Sequence, residues 1–135
     1  MRIPLTPQGT NKTVSVSALC EDALGSVWVG SQEQGLFCWR AGLSTHYGKP
    51  DGLLDENVTS LASDSEGHVW IGTHRGLNRW DGRGFTSFSK RDGLPDDSVL
   101  AVHVARSGLV WITTRGGMCR WMNQRLETFH FPPSE

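Results

Sequence analysis

The chain has 135 residues, 13 Lys and Arg against 14 Asp and Glu, and a formal net charge of −1. That is about one domain, without the basic excess of a phosphate-tracking protein, so no nucleic-acid partner is expected. No apolar run approaches the roughly 18 residues of a membrane-crossing helix, and residues 1–13 hold no apolar signal-peptide centre.

After an N-terminal extension, residues 1–15, the chain repeats itself. Trp28, Trp70 and Trp111 are separated by 42 and 41 residues, and Trp39, Trp80 and Trp121 by 41 and 41. Gly25, Gly67 and Gly108 keep the same step, as do Gly35, Gly76 and Gly117, and Val16, Val58 and Val99. The repeat divides the chain into units at 16–57, 58–98 and 99–131, with a tail at 132–135; the first unit has one extra residue between its tryptophans. In the second unit, short alternating segments at 58–62, 68–73, 77–80 and 85–88 lie between turn residues, which is the strand signature. No stretch carries apolar residues at helical spacing between a cap and a Gly stop, so almost no helix is expected.

Four antiparallel strands in such a period predict an all-β fold of β-propeller blades: three four-stranded blades. One meander cannot bury both its faces, so blades must stack, and tryptophans are large enough to fill the wedge between twisted sheets. Gly25, Gly67 and Gly108 fall where the turn between first and second strands calls for positive φ. Closed propellers have four to eight blades, so three make an incomplete ring unless the chain oligomerises or is part of a longer one. Covering about 400 Å² of apolar blade face is worth roughly 10 kcal/mol. The expected partners are therefore further blades, from a second copy joined head to tail or from the rest of a longer chain.

The run Val-Thr-Ser-Leu-Ala-Ser-Asp-Ser-Glu-Gly-His-Val-Trp-Ile-Gly-Thr at 58–73, then Gly-Leu-Asn-Arg-Trp-Asp-Gly at 76–82, Phe85, Phe88 and Asp-Gly-Leu-Pro at 92–95, resembles the two-component regulator propeller repeat. The resemblance implies the sensor region of a bacterial hybrid two-component system, many of which respond to carbohydrates. It also implies a periplasmic or extracellular location and a longer protein, with an immunoglobulin-like domain, a membrane helix and a kinase or regulator module following. The WD-type repeat fits less well, since its Gly-His and Trp-Asp pairs are not at their offsets. The third unit departs from the pattern: Ala105 replaces Asp22 and Asp64, Thr113 replaces Gly30 and Gly72, and Phe131-Pro132-Pro133 replaces the Asp-Gly-Leu linker.

No nucleophile elbow, zinc-protease helix, phosphate loop or dinucleotide turn occurs, and the five histidines, at 46, 68, 74, 103 and 130, show no ligand spacing. Neither a metal, nor a cofactor, nor catalysis is expected. Cys20, Cys38 and Cys119 lack a Cys-x-x-Cys spacing and are expected to be three buried thiols. Asp22, Asp64, Asp81, Asp92 and Asp96 read as turn residues that accept backbone N–H groups. Loops between second and third strands, at 31–34, 73–75 and 114–116, should share one face with the linkers at 51–57 and 92–98. There Gln32, Glu33, His74, Arg75 and Arg115 vary on a constant framework, which makes them the candidate ligand-binding residues. Arg75 and Arg115 suit a carboxylate, or a sulfated or uronic sugar, so a glycan or small acidic ligand is expected. A lyase-like alternative would place Glu33 and His74 at a channel mouth, in the manner of streptogramin lyases.

Overall fold

The computed structural model describes residues 14–129. Twelve strands form three antiparallel sheets of four, each in simple sequential order. The first sheet holds β1 (Val16–Glu21), β2 (Val27–Ser31), β3 (Leu36–Arg40) and β4 (Leu43–Tyr47). The second holds β5 (Val58–Ser63), β6 (Val69–Thr73), β7 (Gly76–Trp80) and β8 (Phe85–Phe88). The third holds β9 (Val99–Val104), β10 (Val110–Thr114), β11 (Gly117–Met122) and β12 (Arg125–Phe129). These sheets are propeller blades, and the four strands expected in the second unit appear within a residue of their predicted ends. The helical content of the described residues is two 3-10 turns, Lys49–Asp51 and Lys90–Asp92.

Alternation along each strand sends one set of side chains to each face of its blade. Two hydrophobic clusters result, each between sheets. One gathers Trp28, Leu36, Leu53, Val58, Val69 and Ile71 from the first and second blades. The other gathers Trp70, Leu77, Leu94, Val99, Val110 and Ile112 from the second and third. The two tryptophan series meet across these wedges, the first-series residue of one blade against the second-series residue of the next. Trp28 lies 5.7 Å from Trp80, and Trp70 lies 5.3 Å from Trp121, centroid to centroid. Trp39 and Trp111 are the two left without such a mate.

The innermost strands β1, β5 and β9 pack side by side. The Ser17 hydroxyl donates to the Val58 carbonyl (2.5 Å), and one repeat on, the Thr59 hydroxyl donates to the Val99 carbonyl (2.8 Å). Two glycines permit this approach: a Cβ on Gly30 would stand 2.4 Å from Val58 Cγ1, and one on Gly72 2.7 Å from Val99 Cγ1. The third blade lacks both devices, with Leu100 at the hydroxyl position and Thr113 at the glycine position.

The aspartates do the predicted turn work. Asp22 Oδ1 accepts from the Leu24 and Ser26 amides, and Asp64 Oδ1 from those of Glu66 and His68. Asp81 takes the Arg83 and Gly84 amides, which hold its carboxyl below the usual range. Asp92 and Asp96 take the amides of Ser89 and Ser98. A further role was not legible in composition. Asp22 Oδ2 accepts from the Trp28 indole (2.8 Å) and Asp64 Oδ2 from the Trp70 indole (2.7 Å), so the invariant six-residue offset orients each wedge tryptophan. Ala105 gives Trp111 no such acceptor. The Asp-Gly-Leu linker is explained the same way: Asp51 and Asp92 close the 3-10 turn, Gly52 and Gly93 follow at φ 110° and 111°, and Leu53 and Leu94 plug the wedge. The third unit's counterpart, at 131–133, lies outside the described residues.

One expectation needs correction. Of the three free thiols only Cys119 is buried, and Cys20 and Cys38 are partly exposed. Both flank Trp28 in one row across the first blade, Cys20–Trp28–Cys38–Thr45, and that row faces a wedge that is not filled.

Candidate functional site

The turns that join β2 to β3, β6 to β7 and β10 to β11 share one construction. A hydroxyl residue at the end of the second strand donates to the carbonyl of a glycine at, or one residue before, the start of the third: Ser31 to Gly35, Thr73 to Gly76 and Thr114 to Gly117, each at 2.8 Å. The same oxygen accepts an amide from inside the turn, from Gln34, Arg75 and Gly116 respectively. Buried hydroxyls therefore lock turns whose tips are exposed. Their repeat offset was visible in the sequence; the clamp they form was not recognised there.

The first and third turns rest on the segment that enters their own blade, and the first turn also reaches the linker to the next blade. Gln32 N donates to Ser15 O (2.9 Å) and Arg115 N to Ser98 O (3.1 Å), while Gly35 N reaches Glu56 O in the first linker (2.8 Å). Asn78, fully buried, ties that linker down: its Oδ1 accepts from Leu54 N (2.9 Å) and its Nδ2 donates to Gly52 O (3.1 Å). The corresponding residues of the other blades are Phe37 and Cys119, so the repeat marks Asn78 as a departure without showing what it bonds. His46 supports the first turn from behind, its Nε2 2.6 Å from Gln34 O and its ring tilted on Phe37 at 4.7 Å.

The structure places all five predicted residues on these turns with exposed side chains. Glu33 occupies φ 70°, in the one turn with an extra residue. Arg75 Nε lies 3.8 Å from Asp55 Oδ2 in the adjoining linker, a loose pair that leaves the arginine side chain 72% exposed. Gln32, Glu33, His74 and Arg115 have no side-chain hydrogen bond or ion pair among the described residues, and Glu33 and His74 are not joined. The edge can therefore present hydrogen-bonding and charged groups from a rigid frame, two of them guanidiniums on neighbouring turns, where Arg115 takes the place of His74 and Gly116 that of Arg75.

The two-component regulator propeller family matches residues 10–33 and 52–75, which cover the start of the first and second repeats. No curated protein matches the sequence. Among solved structures, the extracellular domain of a hybrid two-component system from B. thetaiotaomicron superposes with TM-score 0.77 at 18% identity, over 94% of this chain and 18% of that one. Virginiamycin B lyase from Staphylococcus aureus superposes with TM-score 0.72 at 20% identity, over 91% of this chain and 43% of the lyase. PorZ, a surface component of the type-IX secretion system of Porphyromonas gingivalis, gives TM-score 0.56 at 23% identity, over 76% of this chain and 17% of its own. This chain thus spans less than a fifth of the first of these and under half of the lyase. At such identities the likeness establishes the β-propeller fold, and the two segments that match the two-component regulator propeller, 10–33 and 52–75, include the first-series tryptophans Trp28 and Trp70.

Proposed function

We propose that the chain is a non-catalytic recognition segment of a regulator-type propeller, with blades at 16–57, 58–98 and 99–131, acting outside the cytoplasm. The observation that carries this reading is the contrast along one edge: buried Ser or Thr clamps recur in every blade, while the exposed tips change from Gln32-Glu33 to His74-Arg75 to Arg115. A constant frame with variable tips suits ligand discrimination rather than chemistry. The two arginines favour an acidic ligand, such as a uronic or sulfated glycan, gripped in bidentate fashion. Isothermal titration with a uronic and a sulfated oligosaccharide, against a neutral one of equal length, tests it. Binding of an acidic glycan that weakens by about tenfold in Arg75→Ala/Arg115→Ala is expected from two charge-assisted contacts; heat from none of the three sugars rejects it.

The ring is completed, on this reading, by further blades. Trp28 and Trp70 are 2% and 0% exposed because a following blade covers them, whereas Trp111, their equivalent, is only partly buried. A second copy stacked in the standard way would bring its Val16 against Thr113, where Val58 and Val99 instead meet glycines. That clash favours blades of a longer chain with a smaller residue at that position over head-to-tail self-association. Sedimentation should show a monomer or weak association for this chain and tighter association for Thr113→Gly; a tight dimer of the unaltered chain would favour the self-assembling alternative.

A further inference from the structure

Between the first and second blades, at the edge opposite the variable turns, lies a cavity of about 400 Å³ lined by Asp22, Trp28, Cys38, Tyr47 and Trp80 among others. Its three rings form a box, with centroids 5.7 Å (Trp28–Trp80), 5.1 Å (Tyr47–Trp80) and 5.9 Å (Trp28–Tyr47) apart. The next wedge holds the same box one repeat on: Trp70, Phe88 and Trp121, at 5.3, 5.3 and 5.9 Å. There it is full. The Arg79 guanidinium carbon lies 5.4 Å from Trp70, 5.7 Å from Phe88 and 5.0 Å from Trp121. Arg79 Nε is buried with no hydrogen-bond partner, so ring faces hold this cation in place of polar acceptors. In the third blade, where no following blade supplies a third ring, Arg120 lies 5.8 Å from Trp111 and 5.9 Å from Phe129, with its Nε 3.8 Å from Glu127 Oε1.

In the first blade the arginine position is Cys38. A thiol cannot reach across the box, and the rings keep the spacing they have around a guanidinium. The open wedge retains a negative group at its wall: the Asp22 carboxylate, which accepts from the Trp28 indole and two amides and has no cationic partner among the described residues. Its equivalent, Asp64, has His68 Nδ1 at 3.3 Å. The mouth is apolar, with Leu24 69% and Leu43 74% exposed. Arg40 also stands at the mouth, exposed and outside the box.

We propose that this cavity binds a small organic cation, an ammonium or guanidinium group on a short apolar body, in the place that an arginine side chain fills in the other two blades. Aromatic faces and one unmatched carboxylate supply the attraction, and Leu24 and Leu43 cover the ligand's apolar part. The proposal rests on the wedge geometry and is independent of what the variable turns recognise.

Choline and its uncharged isostere 3,3-dimethyl-1-butanol are the probes, read by the indole N–H resonances of Trp28 and Trp80 in the intact chain. Choline is expected to shift both and to bind about tenfold more tightly than the isostere, the margin of a desolvated cation–π box. Equal affinities, or shifts at neither indole, overturn the proposal. Cys38→Arg should refill the wedge, abolish the choline response and raise the melting temperature, whereas unaltered choline binding in a folded Cys38→Arg protein overturns it. Arg79→Cys provides a gain-of-function check, opening a second box in which the Trp70 and Trp121 indoles now respond; no response from that folded variant counts against the proposal. Arg40→Ala removes a like charge from the mouth and should tighten choline binding, so weaker binding in that variant would reject a cationic ligand.

Discussion

The two wedges of this molecule are built on one plan and filled differently. Between the second and third blades, Trp70, Phe88, Trp121 and Arg79 make a closed stack. Between the first and second, Trp28, Tyr47 and Trp80 repeat the rings around a cavity, because Cys38 stands where Arg79 does. The difference teaches that the tryptophans and their aspartate acceptors set the spacing of the blades, while a single position on the third strand decides whether the space between them is used internally. The largest expected effect follows from the closed wedge. Trp70→Ala should cost about 3–5 kcal/mol, as for a large buried aromatic, and Trp28→Ala, whose ring already borders empty space and loses fewer contacts, about 1 kcal/mol less. Trp111→Ala, with one flank unpacked, should cost the least of the three. Urea unfolding of the three variants ranks them; equal losses would show that the open wedge contributes as much packing as the closed one.

The inner strands give the next comparison. Gly72→Ala would force a Cβ within 2.7 Å of Val99 Cγ1 and 2.4 Å of Ser60 Oγ, and Gly30→Ala would force one within 2.4 Å of Val58 Cγ1. Each should cost about 1–3 kcal/mol through overpacking, lowering the melting temperature by about 3–5 °C per kcal/mol for a chain of this size. If either alanine is tolerated without loss, the close approach is not what selects glycine there. Smaller again is the hydroxyl stitch: Thr59→Val keeps the shape but removes the bond to Val99 O, and about 1 kcal/mol is expected. The same exchange at Thr128, exposed on the outer strand β12, should change stability by less than about 0.5 kcal/mol, and a matching loss at both positions would remove the special role of the inner strand.

Much of this architecture was legible because the wedge must be filled by the same kind of residue in every blade. Spacing alone exposed the tryptophan series, the turn glycines and the aspartates, and with them the strands and the blade count of the described chain. The variable turn residues were also legible, since departure from a repeat is as visible as conformity to it. What escaped were features that need contacts between repeats. Asn78 anchors the linker through Gly52 and Leu54; its departure from the apolar Phe37 and Cys119 is visible in the period, but the linker it bonds is not. The Cys38, Arg79, Arg120 position was visible as a substitution. Its meaning requires knowing that the rings around it come from two blades, a fact of stacking rather than of sequence. The thiols depart from expectation for the same reason: the burial usual for free cysteine holds for Cys119, whereas Cys20 and Cys38 lie beside the wedge that stays open.

The last comparison sets the thiols of the first blade against that of the third. Burial, followed by the charges of Asp22 and Cys38, pushes the Cys20 thiol up to about 12. Burial also raises Cys38, partly offset by a hydrogen bond from Ser26, and burial alone pushes Cys119 up to about 11. In the unfolded chain all three ionise near the ordinary value of about 8.5. Below that value both states hold the protons and the thiols leave stability unchanged with pH. Above it the unfolded chain binds fewer protons than the folded one, so stability falls as pH rises from about 9 toward the folded values. The Tyr47 hydroxyl, raised by burial above its ordinary value of about 10, adds to the fall only at the upper end, so unfolding measured between about pH 8 and pH 10 reads the thiols. A Cys20→Ala/Cys38→Ala variant should flatten that slope more than Cys119→Ala, since it removes two of the three groups. An unchanged slope in the double variant would mean that the half-open wedge lets both thiolates form in water, and that only the closed core resists ionisation.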